Sequence, residues 1–174
     1  KGEITPVRDN EFLSIFENRI VRNIRNFSSK EVFEIGCFDG YVLSRLKRYG
    51  CEVLGCDPSI GAEIGRKFGI NIDKRCFESN FYLDRESQFD VVITRHLIEH
   101  IVDPISWIRE VSAVIRKDGY LIVETPNIDF HFDRVLPGVF SLQHLHYFDK
   151  KTLSNLVAQV GFSVLNVWET PENL

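Results

Sequence analysis

Apolar and polar positions follow two rhythms along this chain, and each change of rhythm marks an element. From Asn10 to Phe27 the apolar residues Phe12, Ile15, Phe16, Ile20, Ile24 and Phe27 recur at helical spacing, with Asp9 or Asn10 as the cap. EVFEIG then reads as a short buried strand, and YVLSRLKRYG as a helix closed by Gly50. CEVLGCD is a second strand. SIGAEIGRKFG is a helix ending at Gly69, with Ile60, Ile64 and Phe68 as its apolar face, and INIDKRC is a weak third strand. FDVVITRH is a nearly continuous β-branched run, the pattern of a strand covered on both faces. DPISWIREVSAVIRKDG is helical, with Asp103 as cap and Pro104 at the first helical position. YLIVETP is a fifth strand, and residues 127–148 are irregular and rich in aromatics and histidine. DKKTLSNLVAQVG is a last helix with Leu153, Leu156, Val157 and Val160 inward, and FSVLNVWE a last strand.

Strands that alternate with helices build βαβ units. With right-handed connections these give an α/β, doubly wound, mostly parallel sheet with helices on both faces. A chain of 174 residues suffices for one such domain with a real core, so the helical segment 1–30 and residues 31–174 are read together.

Composition narrows the function classes. The formal net charge of -4 gives no general attraction to nucleic acid or to anionic membranes, and Arg19, Arg22 and Arg25 read as one solvated helix face. No apolar stretch is long enough to span a bilayer, and the first residues carry no secretory signal, so a cytoplasmic protein is expected. The four cysteines, Cys37, Cys51, Cys56 and Cys76, form no C-x-x-C pair; reduced thiols and no metal are expected. The chain starts at Lys1 and contains no Met, which points to a segment of a longer protein.

In a doubly wound sheet, ligands bind beyond the carboxyl ends of the strands. The residues placed there are Gly36-Cys37-Phe38-Asp39-Gly40, Asp57-Pro58, Cys76-Phe77-Glu78, His96 with Glu99-His100, and Thr125-Pro126-Asn127. Asp57 follows the first glycine by about twenty residues, the place of a carboxylate that grips a ribose diol. A dinucleotide site wants G-x-G-x-x-G and a pyrophosphate over a helix N-terminus. Here the spacing is Gly36-x-x-x-Gly40, Phe38 crowds a diphosphate, and Glu34 and Asp39 suit a cation instead. A cationic nucleoside without phosphate is S-adenosylmethionine.

These stretches resemble the class I SAM-dependent methyltransferases, in the small-molecule branch that includes quinone, sugar and natural-product methyltransferases. The resemblance covers roughly residues 30–168. VFEIGCFDG is similar to the family's first motif, E/D-x-G-x-G-x-G, departing at Phe38. VLGCDPS resembles the second, and FDVVITRHLIEHIVDP resembles F-D-x-V-x-x-x-H-x-L-E-H-x-x-D-P, the most specific stretch. IRKDGYLIVETPN and HLHYFDKKTLSNLVAQVGF complete five motifs in the family's order. The resemblance implies a Rossmann-like methyltransferase fold, with residues 31–174 as the S-adenosylmethionine-binding domain. It also implies that Gly36 and Gly40 run beneath the methionine part of the cofactor, with Cys37 and Pro58 in the same two loops. Asp57 would hold the ribose, Phe77 would lie beside the adenine, and His96 and Leu97 would border the sulfur. The family's sheet ends in a two-strand hairpin; only the tail TPENL follows FSVLNVWE, so the last strand is expected to be missing or to lie beyond Leu174.

Ordinary structural roles stand beside these. Gly36 and Gly40 can be turn glycines, Asp57 can cap the next helix, and Glu99-His100 can tie loop backbone. Phe130, Phe132 and Phe140 read as packing residues and His131 as exposed. Methyl transfer is an in-line displacement whose leaving group is neutral, so the protein mainly positions an acceptor and excludes water. An acceptor hydroxyl gains from a base, and His144 or His146, then His100, are the candidates. The expected partner is a small-molecule acceptor methylated on O or C. The chain lacks the Asn/Asp-Pro-Pro-Tyr/Phe motif of nucleic-acid amino methylases after its fourth strand. Two other functions fit parts of the pattern: a non-catalytic methyltransferase-like module, consistent with Phe38, and an NAD-binding oxidoreductase domain, consistent with Asp57.

Overall fold

The structure is a computed structural model that describes residues 18–83, 89–129 and 142–169. Five parallel strands form one sheet: β1 (Glu31–Ile35), β2 (Glu52–Cys56), β3 (Ile72–Asp73), β4 (Phe89–Arg95) and β5 (Ile115–Glu124). Their order is β3-β2-β1-β4-β5, so the chain reverses its direction of travel between β1 and β4. The loops that leave these two neighbouring strands therefore run to opposite sides and open a crevice, as expected at a topological switch point.

Helices cover both faces. Val32 of β1 and Val91 and Ile93 of β4 pack with Val42, Leu43 and Leu46 of α2 (Tyr41–Lys47) and with Ile20 of α1 (residues 18–23); Ile24 and Phe27, just beyond α1, join the same cluster. Phe33, Ile35 and Val92 point the other way, onto Val111 of α4 (Pro104–Ala113) and Val114 beyond it, and the Phe33 ring stacks on Phe89 at 4.6 Å. The alternation along β1 follows from the two-residue period of a strand. It sets Glu34 on the α2 side of the sheet. A third cluster joins α4 to α5 (Lys150–Gln159) through Ile108, Leu153 and Leu156. α5 starts at a capping box, in which Asp149 accepts from the Thr152 amide and the Thr152 hydroxyl accepts from the Asp149 amide.

Three expectations change. α3 (Ile60–Lys67) does not bury Ile60, Ile64 and Phe68, which are 61%, 40% and 60% exposed; it buries Gly61, Ala62 and Gly65. A side chain at Gly65 would stand 2.5 Å from the Asp39 carbonyl and at Gly61 2.6 Å from the Phe38 ring, so α3 docks through its glycines, closer than an isoleucine face allows. β5 begins at Ile115, earlier than the helical pattern implies, because Ile115 pairs with Phe89 before the register shifts and Tyr120 pairs with Val91. Finally, residues 162–169 form no strand. Phe162 and Val167 pack against the α4–α5 cluster, and the segment borders a cavity of about 670 Å³ beside the outer edge of β5. Phe130, His131, Phe132 and Phe140 lie outside the described residues.

Candidate functional site

The β1 exit is a turn that takes up most of its own amides. Gly36 (φ 74°) and Cys37 donate to the Cys56 carbonyl at 2.9 and 3.2 Å, Phe38 donates to Asp57 Oδ2 at 2.8 Å, and Gly40 donates to the Cys37 carbonyl at 2.8 Å. The Tyr41 amide donates to Asp39 Oδ1 at 3.2 Å. A phosphate cradle needs such amides aimed at the ligand; this loop spends them on itself. Left-handed backbone at Gly36, Phe38 and Gly40 makes that possible, at a conformational cost for Phe38, which lacks glycine's freedom. Cys37 turns inward: its sulfur lies 2.4 Å from where a Gly55 side chain would begin, and burial pushes its thiol far above the ordinary range, so it is no nucleophile.

Asp57 organises the second loop. While Oδ2 holds Phe38, Oδ1 accepts from the Ser59 amide at 2.8 Å. Capping of α3 falls to Ser59 itself, whose hydroxyl accepts from Gly61. Each carboxylate oxygen keeps further acceptor capacity. Pro58 beside it is exposed. Phe77, partly buried, stacks with Tyr82 at 5.9 Å and meets the edge of Trp107 at 6.3 Å.

The β4 exit mirrors the β1 exit. His96 also takes a left-handed conformation (φ 49°), held by its amide on the Glu124 carbonyl at 2.9 Å. Its Nε2 lies 3.4 Å from Glu124 Oε1, and Arg95 Nε lies 2.6 Å from Glu124 Oε2. Burial alone would raise the Glu124 pKa, but the hydrogen bonds from His96 and Arg95 outweigh it and hold the carboxyl below its usual range. Leu97 spans the crevice, since a side chain at Gly36 would meet its Cδ2 at 3.2 Å.

Two buried carboxylates at this rim keep an oxygen without a hydrogen bond. Glu34 is 3% exposed, and its Oε2 has no partner; burial raises its pKa to about 8 against the pull of Arg95. Glu99 is 2% exposed; Oε2 accepts from the Thr125 hydroxyl at 3.0 Å, and Oε1 has no hydrogen bond, only a long ion pair with His96 Nδ1 at 3.8 Å. The Glu99 carbonyl meanwhile accepts from both Leu145 and His146, at 2.8 and 3.1 Å, which hangs residues 142–149 over the rim. His100 Nδ1 is 2.7 Å from the Gln143 carbonyl, and the His100 and His144 rings meet edge to face at 4.9 Å. His146 turns aside, with Nε2 3.4 Å from the Val102 carbonyl and its ring stacked on Phe148.

Comparison with known proteins agrees with this geometry. A family model described as a methyltransferase domain matches residues 11–167. The chain belongs to that family. The ubiquinone biosynthesis O-methyltransferase of Ruegeria pomeroyi is 32% identical over 108 residues, 59% of this chain and 44% of that protein. Its counterpart in Bradyrhizobium diazoefficiens is 31% identical over 114 residues, 63% of this chain and 45% of that protein. The chain thus spans under half the length of these curated relatives. Among solved structures, the magnesium protoporphyrin IX methyltransferase of Synechocystis PCC 6803 with bound SAH superposes with a TM-score of 0.68 at 14% identity, covering 94% of this chain and 79% of that one. A SAM-dependent methyltransferase of Archaeoglobus fulgidus gives 0.62 at 22% identity, covering 87% and 69%. At these identities the structures show the shared fold, the Rossmann-like fold of class I SAM-dependent methyltransferases.

Within this methyltransferase domain, the residues singled out from the sequence fall into two groups, apart from the exposed Pro58 and from Phe77, which packs on Tyr82 and Trp107. Glu34, Gly36, Phe38, Asp39, Gly40 and Asp57 form one continuous cradle, with Cys37 contributing backbone alone. His96, Leu97, His100 and His144 line the facing side, and His146 is tied to backbone beside it. Sequence reasoning missed Glu124, Thr125 as the partner of Glu99, and the glycine face of α3. The spacing Gly61-x-x-x-Gly65 was the available signal for that close contact.

Proposed function

We propose that this domain binds S-adenosylmethionine in the crevice between β1 and β4 and serves methyl transfer to an oxygen of a small-molecule acceptor. The observation that carries this reading is the self-satisfied turn at residues 36–41 beside an acidic pair. Five of its six amides, all but that of Asp39, are committed, which disfavours a pyrophosphate and with it the NAD-binding alternative. Glu34, with an unpartnered buried oxygen, and Asp39 fit the ammonium of the methionine part, and Asp57 has acceptor capacity left for a ribose diol. When bound, S-adenosylmethionine supplies an electrophilic methyl carbon on a sulfonium. The chain's own part is to exclude water through Leu97, to fix the acceptor, and to receive its proton. Of the three histidines, His100 and His144 face each other beside Glu99, whereas His146 is occupied by the Val102 carbonyl, so the first two are assigned the acceptor side. The relatives named for ubiquinone biosynthesis favour a phenolic, quinone-type acceptor.

Residues 1–30 are read as part of the same domain, because Ile20, Ile24 and Phe27 join its core. No described helix is long and apolar enough to cross a membrane. Calorimetry with S-adenosylhomocysteine and with NAD tests the cofactor. Micromolar binding of the first and none of the second is expected; the reverse would overturn the reading. Binding without turnover on a panel of catechols and phenols would instead support a non-catalytic module.

A further inference from the structure

We propose that Glu99, His100 and His144 form a binding site for one divalent cation of intermediate softness, such as zinc or cobalt. One ligand atom from each of the three side chains lies within 4.8 Å of the others. Ligand atoms around a tetrahedral ion with bonds of about 2.1 Å stand roughly 3.4 Å apart, so closing the cluster draws any pair of ligand atoms together by no more than ~1.4 Å. Two imidazoles and a carboxylate leave further positions open for water or for an acceptor oxygen.

Three independent features point to a cation. Glu99 is 98% sequestered from solvent, yet Oε1 has no hydrogen bond, an expensive state for a buried carboxylate whose one ion pair, to His96, is long. The nearest cationic candidate, His96 Nδ1, stands 3.8 Å from that oxygen, beyond hydrogen-bond reach, and the other nitrogen of His96 is directed at Glu124. The hydrogen bond of His100 to the Gln143 carbonyl fixes its tautomer. A peptide carbonyl only accepts, so Nδ1 carries the proton toward Gln143, and Nε2 presents its lone pair. Metal-ligating histidines are oriented by this kind of outer hydrogen bond, and the Thr125 hydroxyl orients the carboxylate in the same way. Finally, the Glu99 carbonyl holds the amides of Leu145 and His146, so the residue that offers the carboxylate also helps to deliver the second imidazole.

With the cation bound, His100 and His144 act as its ligands and no longer as proton acceptors; the site goes beyond the cofactor reading and is tested separately from it. Protein stripped by chelator dialysis is titrated with Co²⁺, followed by visible d–d absorption, and with Zn²⁺ by calorimetry and thermal unfolding. One equivalent bound and a raised Tm are expected. Loss of outer hydrogen-bond partners alone weakens metal binding ~10–100-fold, so removal of a ligand in His144→Ala or His100→Ala should cost at least ~100-fold. Cys76→Ser, which removes the exposed thiol, should bind as the parent does. Glu99→Gln is a weaker test because Glu99 also supports the fold; the half-buried His144 avoids that problem, and circular dichroism checks each variant. No cobalt spectrum at about 1 mM metal, or unchanged affinity in both histidine variants, overturns the proposal. Homocysteine-nucleoside binding with no cobalt uptake removes the cation site alone, whereas cobalt uptake without it removes the cofactor reading alone.

Discussion

Buried carboxylates are treated differently at the two ends of this sheet, with Glu124, paired to Arg95 and His96, as the exception at the carboxyl end. At the amino end, Asp90 is surrounded by donors: the Glu31 amide at 2.9 Å, Lys30 Nζ at 3.3 Å and an Arg116 nitrogen at 3.0 Å. Burial opposes its ionisation, but these donors outweigh it and lower its pKa. At the carboxyl end, Glu34 and Glu99 are more deeply buried and each keeps an oxygen without a hydrogen bond. Pairing at the amino end serves the fold. Incomplete pairing at the carboxyl end leaves negative charge or its potential available to a visitor, and the fold tolerates the cost there because the ligand can repay it on binding.

The strongest way to break this contrast is Asp57→Ala. It removes the acceptor for both Phe38 and Ser59, so homocysteine-nucleoside affinity should fall ~100-fold by calorimetry, in line with two lost charge-assisted hydrogen bonds. Glu34→Gln should sharpen it through pH. Between its ordinary value of 4.5 and about 8, the unfolded chain gives up the Glu34 proton and the folded chain keeps it. Stability from this group is therefore full below pH 4.5 and falls as pH rises through that window. The variant should lose this slope and exceed the parent by roughly 2 kcal/mol in urea unfolding at pH 8.5. Asp90 has the opposite sign: its stabilisation is present above its ordinary value of 3.8 and is lost as pH falls further. Asp90→Asn should cost ~1–2 kcal/mol near neutrality while leaving nucleoside affinity within about twofold. Smallest of all, Ile64→Gln on the outward face of α3 should shift stability by no more than ~0.5 kcal/mol, where a core isoleucine would cost several times that.

That last case shows where the chain was legible and where it was not. Strands β1, β2 and β4 could be read from their apolar runs, and the cradle from Glu34, the paired glycines and Asp57, because those signals are local. The face of α3 was misread since helical periodicity rewards large apolar residues, while the docking surface consists of glycines whose value is the absence of a side chain. The segment 162–169 has strand composition, but its Phe162 and Val167 are claimed by α4 and α5. The convergence of Glu99, His100 and His144 was illegible for another reason: Gln143 lies 43 positions from the ring it orients, and no spacing rule spans that distance.

The cradle is drawn from residues 34–61, while the facing stretch 142–149 is tied on by a few hydrogen bonds, two of them to the peptide oxygen of Glu99. Evolution can therefore exchange the hanging stretch, and with it the compound that is modified, as a local edit that leaves the methyl donor's berth untouched. A scaffold divided in this way diversifies its chemistry one loop at a time.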